Sequence, residues 1–473
     1  MERINRRNFI RQGSLAGMSL TLLGNSQAKA ENVETADQVS TPQIDSSTLS
    51  FGLATEDITP SVRLLNWVTG RPYDHVLDPI YLKTFILHDQ ADTVVIVSME
   101  LVYVGESITA LLKDRISTEL DIPRENILIT ATHNHSAPFS PVYSEVLRST
   151  ERDSSWGSLS KIPDEEIVPE YITWKKSLIT QAMRAVKNAY QSREVCSVRI
   201  GKSDISTWVQ NRRPRPVSVD TEKSSTPEGF YFKHPDWDPA VISGNMNFGS
   251  LDRTMNVLFF QNSDDHHLST IFNLSAHAVS IYPYLDSISG DWPGMTAGLF
   301  RKEFGGESLF LQGTTGDINP WKRGTSAVSE MAEGLTDLAR RSLLHSAQIE
   351  VGPIRCKSEF IGLPLTEYGR ERSGLRSMEI EIQVITMGTI AIVALPGEPM
   401  TDIGLAVKMA SPFPHTLVLG YSNGVGTQYI GMPGDKKYGG YEASEKRNLS
   451  TDMGGHYMVE VAKGLLNELY HDE

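Results

Sequence analysis

Runs of consecutive apolar residues recur along the chain, and segments with helical periodicity separate them. Eight short runs have strand character: "TFILHD", "TVVIVSMEL", "NILITAT", "VLFFQ", "STIFNLSA", "LFLQG", "TIAIVAL" and "TLVLG". Several are apolar throughout rather than alternating, which is typical of strands that are buried on both faces. The pattern therefore predicts buried sheets in an α/β protein.

The clearest helical pattern lies in residues 166–191. Ile172, Ile179, Met183 and Val186 recur there at steps of three, four or seven, whereas the basic residues occupy other faces. This spacing predicts an amphipathic helix that packs on a sheet. Further helices are predicted at residues 106–120, 326–345, 401–410 and 456–470. We expect a single large α/β domain in which mixed buried sheets are layered with helices.

Two long stretches, residues 139–166 and 212–250, show neither pattern. Loops of this length inside a compact protein are usually lids, binding loops or disordered segments. The sequence leaves these alternatives open.

The first thirty residues have the features of an export signal. A basic start that contains "RRNFIR" precedes a weakly apolar middle, and the segment ends in Ala28-Lys29-Ala30. The arginine pair is typical of twin-arginine export. The alternative is a membrane anchor, although the apolar middle is far shorter than the ~20 residues of a spanning helix. We therefore predict a signal peptide at 1–30, a flexible leader at 31–48, the domain at 49–473, and a periplasmic or secreted protein.

Charge and cysteine content exclude two classes of function. The chain has 58 acidic and 44 basic residues and a net charge of −14, which argues against a nucleic-acid partner. Cys196 and Cys356 are far apart and form no C-x-x-C motif, which argues against a zinc–thiolate site. In an oxidising compartment they either pair or stay free, and both alternatives remain open.

The segment "THNHSAP" places two histidines after the apolar run "NILIT". Residues two apart on an extended chain point to the same side, so the imidazoles of His133 and His135 can reach one site. They are metal ligands, catalytic groups or the polar end of a buried strand.

Other strand ends also present polar side chains. His277 closes "STIFNLSAH", Asp317 and Asn319 follow "LFLQG", and Glu398 follows "AIVAL". Ligands of α/β sheets gather at strand ends, and two histidines with one carboxylate are a common catalytic zinc set. The open position of such a site binds and activates water. Asp291, in "SGDWPG", fits ordinary helix initiation better, as an N-cap residue with proline in the first turn.

One rival motif is "GYSNG" at residues 420–424, which fits the G-x-S-x-G pattern of a serine hydrolase. That motif requires a helix directly afterwards, and "VGTQYIGMPGDKKYGGYE" has no helical pattern. Only His456 and His471 remain downstream as bases, so we disfavour this hypothesis. No nucleotide-binding motif is present.

These motifs, in this order, resemble those of the neutral/alkaline non-lysosomal ceramidase family. The family has "THTHSGP", a later histidine segment followed by "SGDNKG", then "GDVSPN", "PGEFTT" and a tyrosine-containing segment. The matching stretches here are "THNHSAP", "AHAVSIYPYLDSISGDWPG", "GDINP", "PGEPMT" and "NGVGTQYIG", with "YEAS" after them. The resemblance runs from about residue 50 to about residue 445.

The resemblance implies an exported zinc-dependent amidohydrolase that cleaves an N-acyl, ceramide-like linkage by metal-activated water. The family's zinc ligands match His133, His277, Glu398 and Tyr429, and its substrate-amide contacts match His135 and Arg212. Tyr429 has an alternative role as a packed aromatic residue in a loop.

Two further residues complete the candidate catalytic set. Asp317 either accepts a hydrogen bond from a ligand histidine or forms the turn after Gly316. Asn319 replaces the family's serine, so any role that needs a hydroxyl is lost. Proline in "PGEPMT" also weakens the inference of ceramide specificity. We further expect the catalytic domain to stand alone, without the immunoglobulin-like C-terminal domain of the family, which weakens that inference again.

The expected partner is a small-molecule or lipid N-acyl substrate bound with Zn²⁺. A second hypothesis keeps the metal but assigns a small polar or sugar-like ester, lactone or amide as substrate, because Asn319 and the two long polar loops favour it. A third is an exported binding protein without activity. Peripheral membrane contact and oligomeric state remain open.

Overall fold

The computed structural model describes residues 49–67, 69–143, 169–216, 246–282, 284–424 and 428–471. These residues form mixed α/β structure in a single domain, as predicted. The predicted signal peptide and leader lie outside the described residues, as does most of the two long stretches without periodicity.

Seven α-helices occur among the described residues: α1 Glu106–Leu120, α2 Pro169–Gln191, α3 Asp291–Phe304, α4 Thr325–Leu344, α5 Glu367–Ser373, α6 Thr401–Ala410 and α7 Gly454–His471. The five helices predicted from periodicity are confirmed as α1, α2, α4, α6 and α7, although residues 166–168 lie outside the described part. None of the described helices is both long and apolar enough to cross a bilayer.

The strands of the first half are β1 Ser50–Asp57, β2 His75–Val76, β3 Tyr81–His88, β4 Thr93–Met99, β5 Ile127–Ala131, β6 Glu194–Val195, β7 Ser197–Asp204, β8 Val209–Asn211, β9 Pro214–Pro216 and β10 Met246–Phe248. The later strands are β11 Thr254–Gln261, β12 His267–Leu274, β13 Ser287–Ile288, β14 Glu307–Gln312, β15 Ile318–Pro320, β16 Ala347–Gln348, β17 Ile354–Pro364, β18 Ser377–Met387, β19 Ile390–Ala394, β20 Glu398–Pro399, β21 His415–Leu419 and β22 Tyr429–Ile430. All eight predicted apolar runs are strands.

Three larger sheets share one connection pattern. Their strand orders are β5-β4-β3-β1-β6, β14-β12-β11-β7-β16 and β17-β18-β19-β21, here called the first, second and third sheets. In each sheet an antiparallel pair is followed by a helix and then by a parallel strand: β3-β4-α1-β5, β11-β12-α3-β14 and β18-β19-α6-β21. A helical crossover is the usual way to join parallel neighbours. The sequence shows no corresponding repeat.

The three sheets face one another across a central apolar core. Phe51 of the first sheet stacks on Phe260 of the second with 4.5 Å between ring centroids, and Ile385 and Leu417 of the third sheet join the same cluster. The opposite face of each sheet is covered by its own helices, α1 and α2, α3 and α4, or α6 and α7. Both faces of the central strands are therefore buried, which explains their uninterrupted apolar runs. Cys196 and Cys356 are free thiols.

One residue joins the ends of the three sheets. Gln312, the last residue of β14, donates through Nε2 to the carbonyls of Thr132 (2.9 Å) and Ala276 (2.8 Å). The backbone carbonyl of Gln312 accepts a hydrogen bond from the amide of Gly420 at 3.2 Å. Thr132 follows a strand of the first sheet, Ala276 follows one of the second, and Gly420 follows one of the third. The loops that carry the predicted site residues therefore start from a common centre.

Candidate metal centre

The two histidines of "THNHSAP" meet, but not because they lie on an extended strand. Strand β5 ends at Ala131, and His133 adopts a left-handed backbone conformation with φ of 57°. The side-chain Nε2 atoms of His133 and His135 still approach to 3.0 Å. Our expectation of one shared site is confirmed, whereas its geometric reason is wrong. Such strained backbone is costly for a non-glycine residue and is often found at functional sites.

Backbone carbonyls orient two of the imidazoles. His133 Nδ1 lies 2.8 Å from the carbonyl of Val102, and His277 Nδ1 lies 2.9 Å from the carbonyl of Ile318. Because a carbonyl only accepts, each Nδ1 carries the hydrogen, and the neutral ring keeps its lone pair on Nε2. Burial lowers the pKa of His277 to about 3, so its ring is neutral at physiological pH. Both rings are buried.

Glu398 brings a carboxylate to the same point. Gly397, at φ of 72°, makes the turn before it. Glu398 Oε2 lies 3.3 Å from His133 Nε2 and 3.5 Å from His277 Nε2. Burial alone would raise the pKa of Glu398, but interactions with the two imidazoles hold it well below its usual value. Among the described residues, neither Glu398 Oε2 nor His277 Nε2 has a hydrogen-bond partner.

This arrangement fits a divalent cation. Imidazole lone pairs and a carboxylate oxygen repel one another when they converge without a hydrogen or a positive ion between them. Ligands about 2.0–2.2 Å from a tetrahedral zinc ion stand about 3.3–3.5 Å apart, which matches the two distances to Glu398. The ligand atoms of His133, His135 and His277 also lie within 4.8 Å of one another. We call His133, His277 and Glu398 the floor of the site.

Tyr429 reaches the floor through backbone pairing. It lies opposite Glu398 in the parallel pair β20·β22, and its ring is buried. Its hydroxyl oxygen accepts a hydrogen bond from Arg212 Nη2 at 3.0 Å. Burial and the Glu398 carboxylate raise the pKa of Tyr429 well above its usual value, so the phenol is neutral. The predicted fourth ligand is thus on the same ladder as Glu398.

Arg212 is held on several sides by the protein itself. Its Nε donates to the buried carboxylate of Glu442, Nη1 donates to Asn319 Oδ1 (3.2 Å), and Nη2 also donates to the carbonyl of Gly316 (2.9 Å). These bonds fix the guanidinium beside Tyr429. Contact with the substrate amide stays a prediction. Glu442 was not predicted as a site residue, although it lies in the quoted "YEAS".

Asp317 does not hold a ligand histidine, so that expectation is wrong. Its Oδ1 accepts from the amide of Thr401 at 2.9 Å, and its Oδ2 accepts from Asn211 Nδ2 at 2.8 Å. Thr401 is the first residue of α6, so Asp317 satisfies the start of that helix. The carbonyl of the next residue, Ile318, orients His277 instead. Burial raises the pKa of Asp317 to about 6.

Asp291 lies at the start of α3 as its first residue, whereas the N-cap position that the helix-initiation alternative gave it belongs to Gly290. Its Oδ1 accepts from the amide of Trp292 (2.6 Å) and its Oδ2 from the amide of Ile281 (2.8 Å). Both partners are backbone groups, so Asp291 joins the start of the helix to the loop after His277.

Ser422 lacks the environment of a catalytic serine. Its hydroxyl is buried and donates to the carbonyl of Gly420 at 2.9 Å, close to Thr130 Oγ1 at 3.2 Å. The next described element is strand β22 rather than a helix. These observations support our rejection of the serine-hydrolase hypothesis.

Aromatic side chains also pack around His135. Its ring centroid lies 5.1 Å from that of Trp67 and 5.5 Å from that of Tyr282, and Trp67 also stacks on Phe139 at 5.1 Å. Trp67 Nε1 donates to the carbonyl of His135 at 3.3 Å. His135, Trp67 and Tyr282 are half-buried. We call these three residues the mouth of the site.

The fold is that of known ceramidases. A crystal structure of neutral ceramidase from Pseudomonas aeruginosa superposes with a TM-score of 0.66 over 90% of this chain and 75% of that chain, at 16% sequence identity. A structure of a ceramidase complexed with C2 gives a TM-score of 0.65 over 90% of this chain and 76% of that chain, at 14% identity. At such low identity the likeness establishes the fold alone. No protein-family model matches the sequence, and neither does any curated protein.

Proposed function

We propose that this protein is a zinc-dependent hydrolase of N-acyl amides, with chemistry like that of the neutral ceramidases. The observation that carries the proposal is the convergence of His133 Nε2, His277 Nε2 and Glu398 Oε2 at the spacing of zinc ligands. The shared fold with neutral ceramidases supports it. From residues 1–30 we further propose that the protein is exported.

The floor would hold the ion through His133, His277 and Glu398, and Tyr429 is the proposed fourth ligand. A zinc ion at this point supplies Lewis acidity and lowers the pKa of a bound water to about 7. The carbonyls of Val102 and Ile318 keep both imidazoles in the tautomer that can bind metal.

His135 is the group best suited to bind the substrate amide. Burial, with the neighbouring His133 and His277, lowers its pKa well below the usual value, so the ring is neutral. Among the described residues its Nδ1 has no hydrogen-bond partner although it is buried. A buried polar atom without a partner is costly, and an amide group of the substrate would satisfy it.

As an alternative to binding the ion, Tyr429 would stabilise negative charge on the acyl oxygen. Arg212 donates to the phenol oxygen, which leaves the Tyr429 hydroxyl hydrogen for another acceptor. The oxygen of an attacked acyl group is such an acceptor, and fixed donors are most effective where charge develops. Glu442 keeps Arg212 in position for this role.

The test is metal analysis combined with a substrate panel. The purified protein should contain zinc, lose amide hydrolysis on chelation and regain it when zinc is restored. Short-chain ceramide in detergent and soluble N-acyl compounds would be assayed beside esters and lactones. Amide turnover by zinc-free protein would refute the proposal, and turnover of polar esters or lactones alone would favour the second hypothesis.

A further inference from the structure

Two arginines flank the mouth. Arg323 precedes Gly324, whose amide donates to the carbonyl of Ser280 at 2.7 Å, two residues before Tyr282. The carbonyl of Arg447 accepts from the amide of Tyr429 at 3.0 Å. Backbone hydrogen bonds therefore fix one arginine next to the mouth and the other next to the proposed fourth ligand.

Neither guanidinium has a hydrogen bond or an ion pair within the part of the chain that the structure describes. The Arg447 guanidinium lies 4.7 Å from the ring centroid of Tyr441, and this cation–π contact supplies no counter-ion. Neighbouring cations differ, since Lys322 pairs with Glu330 at 2.7 Å and Arg213 pairs with Asp435 at 3.3 Å. In a protein with a net charge of −14, carboxylates are abundant. Two arginines that lie beside the site and form no ion pair with a carboxylate therefore need an explanation.

Both positive charges act on the same part of the mouth. Burial raises the pKa of Tyr282, and the charges of Arg323 and Arg447 oppose that rise. The Tyr282 ring in turn lies 5.5 Å from the ring of His135. The Arg447 guanidinium lies on the Tyr441 ring, whose centroid is 5.7 Å from that of Tyr429, and the backbone next to Arg323 is bonded to Ser280. The two arginines therefore flank the site on the sides of Tyr429 and Tyr282.

Arg323 is held in an environment that favours an anion. It is half-buried, and burial together with the charge of Arg212 lowers its pKa to about 10, so it remains protonated at neutral pH. The Asp291 carboxylate favours the charged form of Arg323 but makes no ion pair with it, so the guanidinium N–H groups remain available to a bound anion. Arginine recognises carboxylates in particular, because two parallel N–H groups match the two oxygens.

We propose that Arg323 and Arg447 bind a carboxylate on the amine half of the substrate, so that the preferred substrates are N-acyl amino acids rather than neutral lipid amides. The acyl chain would lie on the apolar side of the mouth, where Trp67 stacks on Phe139. Water adds a hydroxyl to the acyl carbon and a hydrogen to the amine nitrogen as the C–N bond breaks, which releases a fatty acid and an amino acid. This inference rests on the proposed function.

The test compares two substrates that differ only in charge, N-lauroylglycine and N-lauroylglycinamide. We expect kcat/KM of the zinc-loaded enzyme to be about 100-fold higher for the acid, about tenfold from each arginine. Arg323→Gln and Arg447→Gln should each reduce kcat/KM for the acid about tenfold and leave the amide unchanged. Lys322→Gln is the matched control and should change neither value, since Lys322 is exposed and paired with Glu330.

Calorimetric titration of chelated, metal-free protein separates this proposal from the proposed function. N-lauroylglycine should bind, and the Arg323→Gln/Arg447→Gln double variant should bind it about 100-fold more weakly. Arginine-dependent binding without any amide turnover would support the carboxylate site and refute the hydrolase. Equal turnover of acid and amide would overturn the carboxylate site and leave the hydrolase standing. Absence of binding, or binding that the double variant retains, would also overturn it.

Discussion

The floor and the mouth of the site are built in opposite ways. In the floor, backbone carbonyls fix the imidazoles of His133 and His277, and both rings are buried. Beside the mouth, Arg323 and Arg447 have no hydrogen bond or ion pair to any described residue. The floor thus gathers imidazole and carboxylate ligand atoms, whereas two cationic side chains flank the mouth. Backbone contacts of the fold determine the proposed metal end of the site, and loops form the proposed substrate end.

The largest effect on zinc binding and turnover is expected for the two neighbouring histidines, His133 of the floor and His135 of the mouth. His133→Ala should weaken zinc binding by more than about 100-fold and abolish turnover, because it removes a proposed ligand. His135→Ala should keep zinc and lose turnover, because its proposed role is to contact the substrate. Zinc content after dialysis and amide hydrolysis would be measured for both variants. Loss of zinc from the His135 variant would make His135 a ligand and move it from the mouth to the floor.

A smaller but substantial effect, on the free energy of unfolding, is expected for Glu442, the partner of Arg212. Glu442→Gln removes the buried carboxylate that accepts from Arg212 and lies 3.7 Å from Arg213 Nε. Breaking a buried pair from one side costs about 3–5 kcal/mol, so the free energy of unfolding should fall by that amount. Urea denaturation of Glu442→Gln and of the exposed control Glu330→Gln would be compared. The control should change by less than about 1 kcal/mol, and equal losses would contradict the distinction.

The smallest effect concerns a buried residue without a proposed chemical role. Ser422→Ala should keep full activity and lower the free energy of unfolding by about 1 kcal/mol, the typical value of one internal hydrogen bond. Turnover and thermal denaturation would be followed together. An inactive but stable Ser422→Ala protein would revive the serine-hydrolase hypothesis.

Local elements were predictable because their determinants are local. Helix α1 has the predicted bounds 106–120, and α6 has the predicted bounds 401–410. Strands β17 and β18 were not predicted, although "SMEIEIQV" alternates apolar and polar residues, which is the signal of a half-exposed strand.

Residues of the site could be predicted only where they lie in family-like sequence motifs. The order of the family-like motifs led to His133, His277 and Glu398, and the structure brings these three together. The pairing of Arg212 with Glu442 spans 230 positions and leaves no periodic signal. The partner of Asp317 could not be derived either, because it depends on where α6 starts in space.

Gln312 joins the ends of all three sheets through hydrogen bonds to backbone groups. The donor atoms are therefore spaced before any ion arrives, unlike those of small metal domains that fold only around their ion. Zinc should then act as an ordinary saturable ligand, whose contribution to stability rises with the logarithm of its free concentration. At low zinc concentration the protein should remain folded but inactive, and the proposed activity should recover when zinc is added.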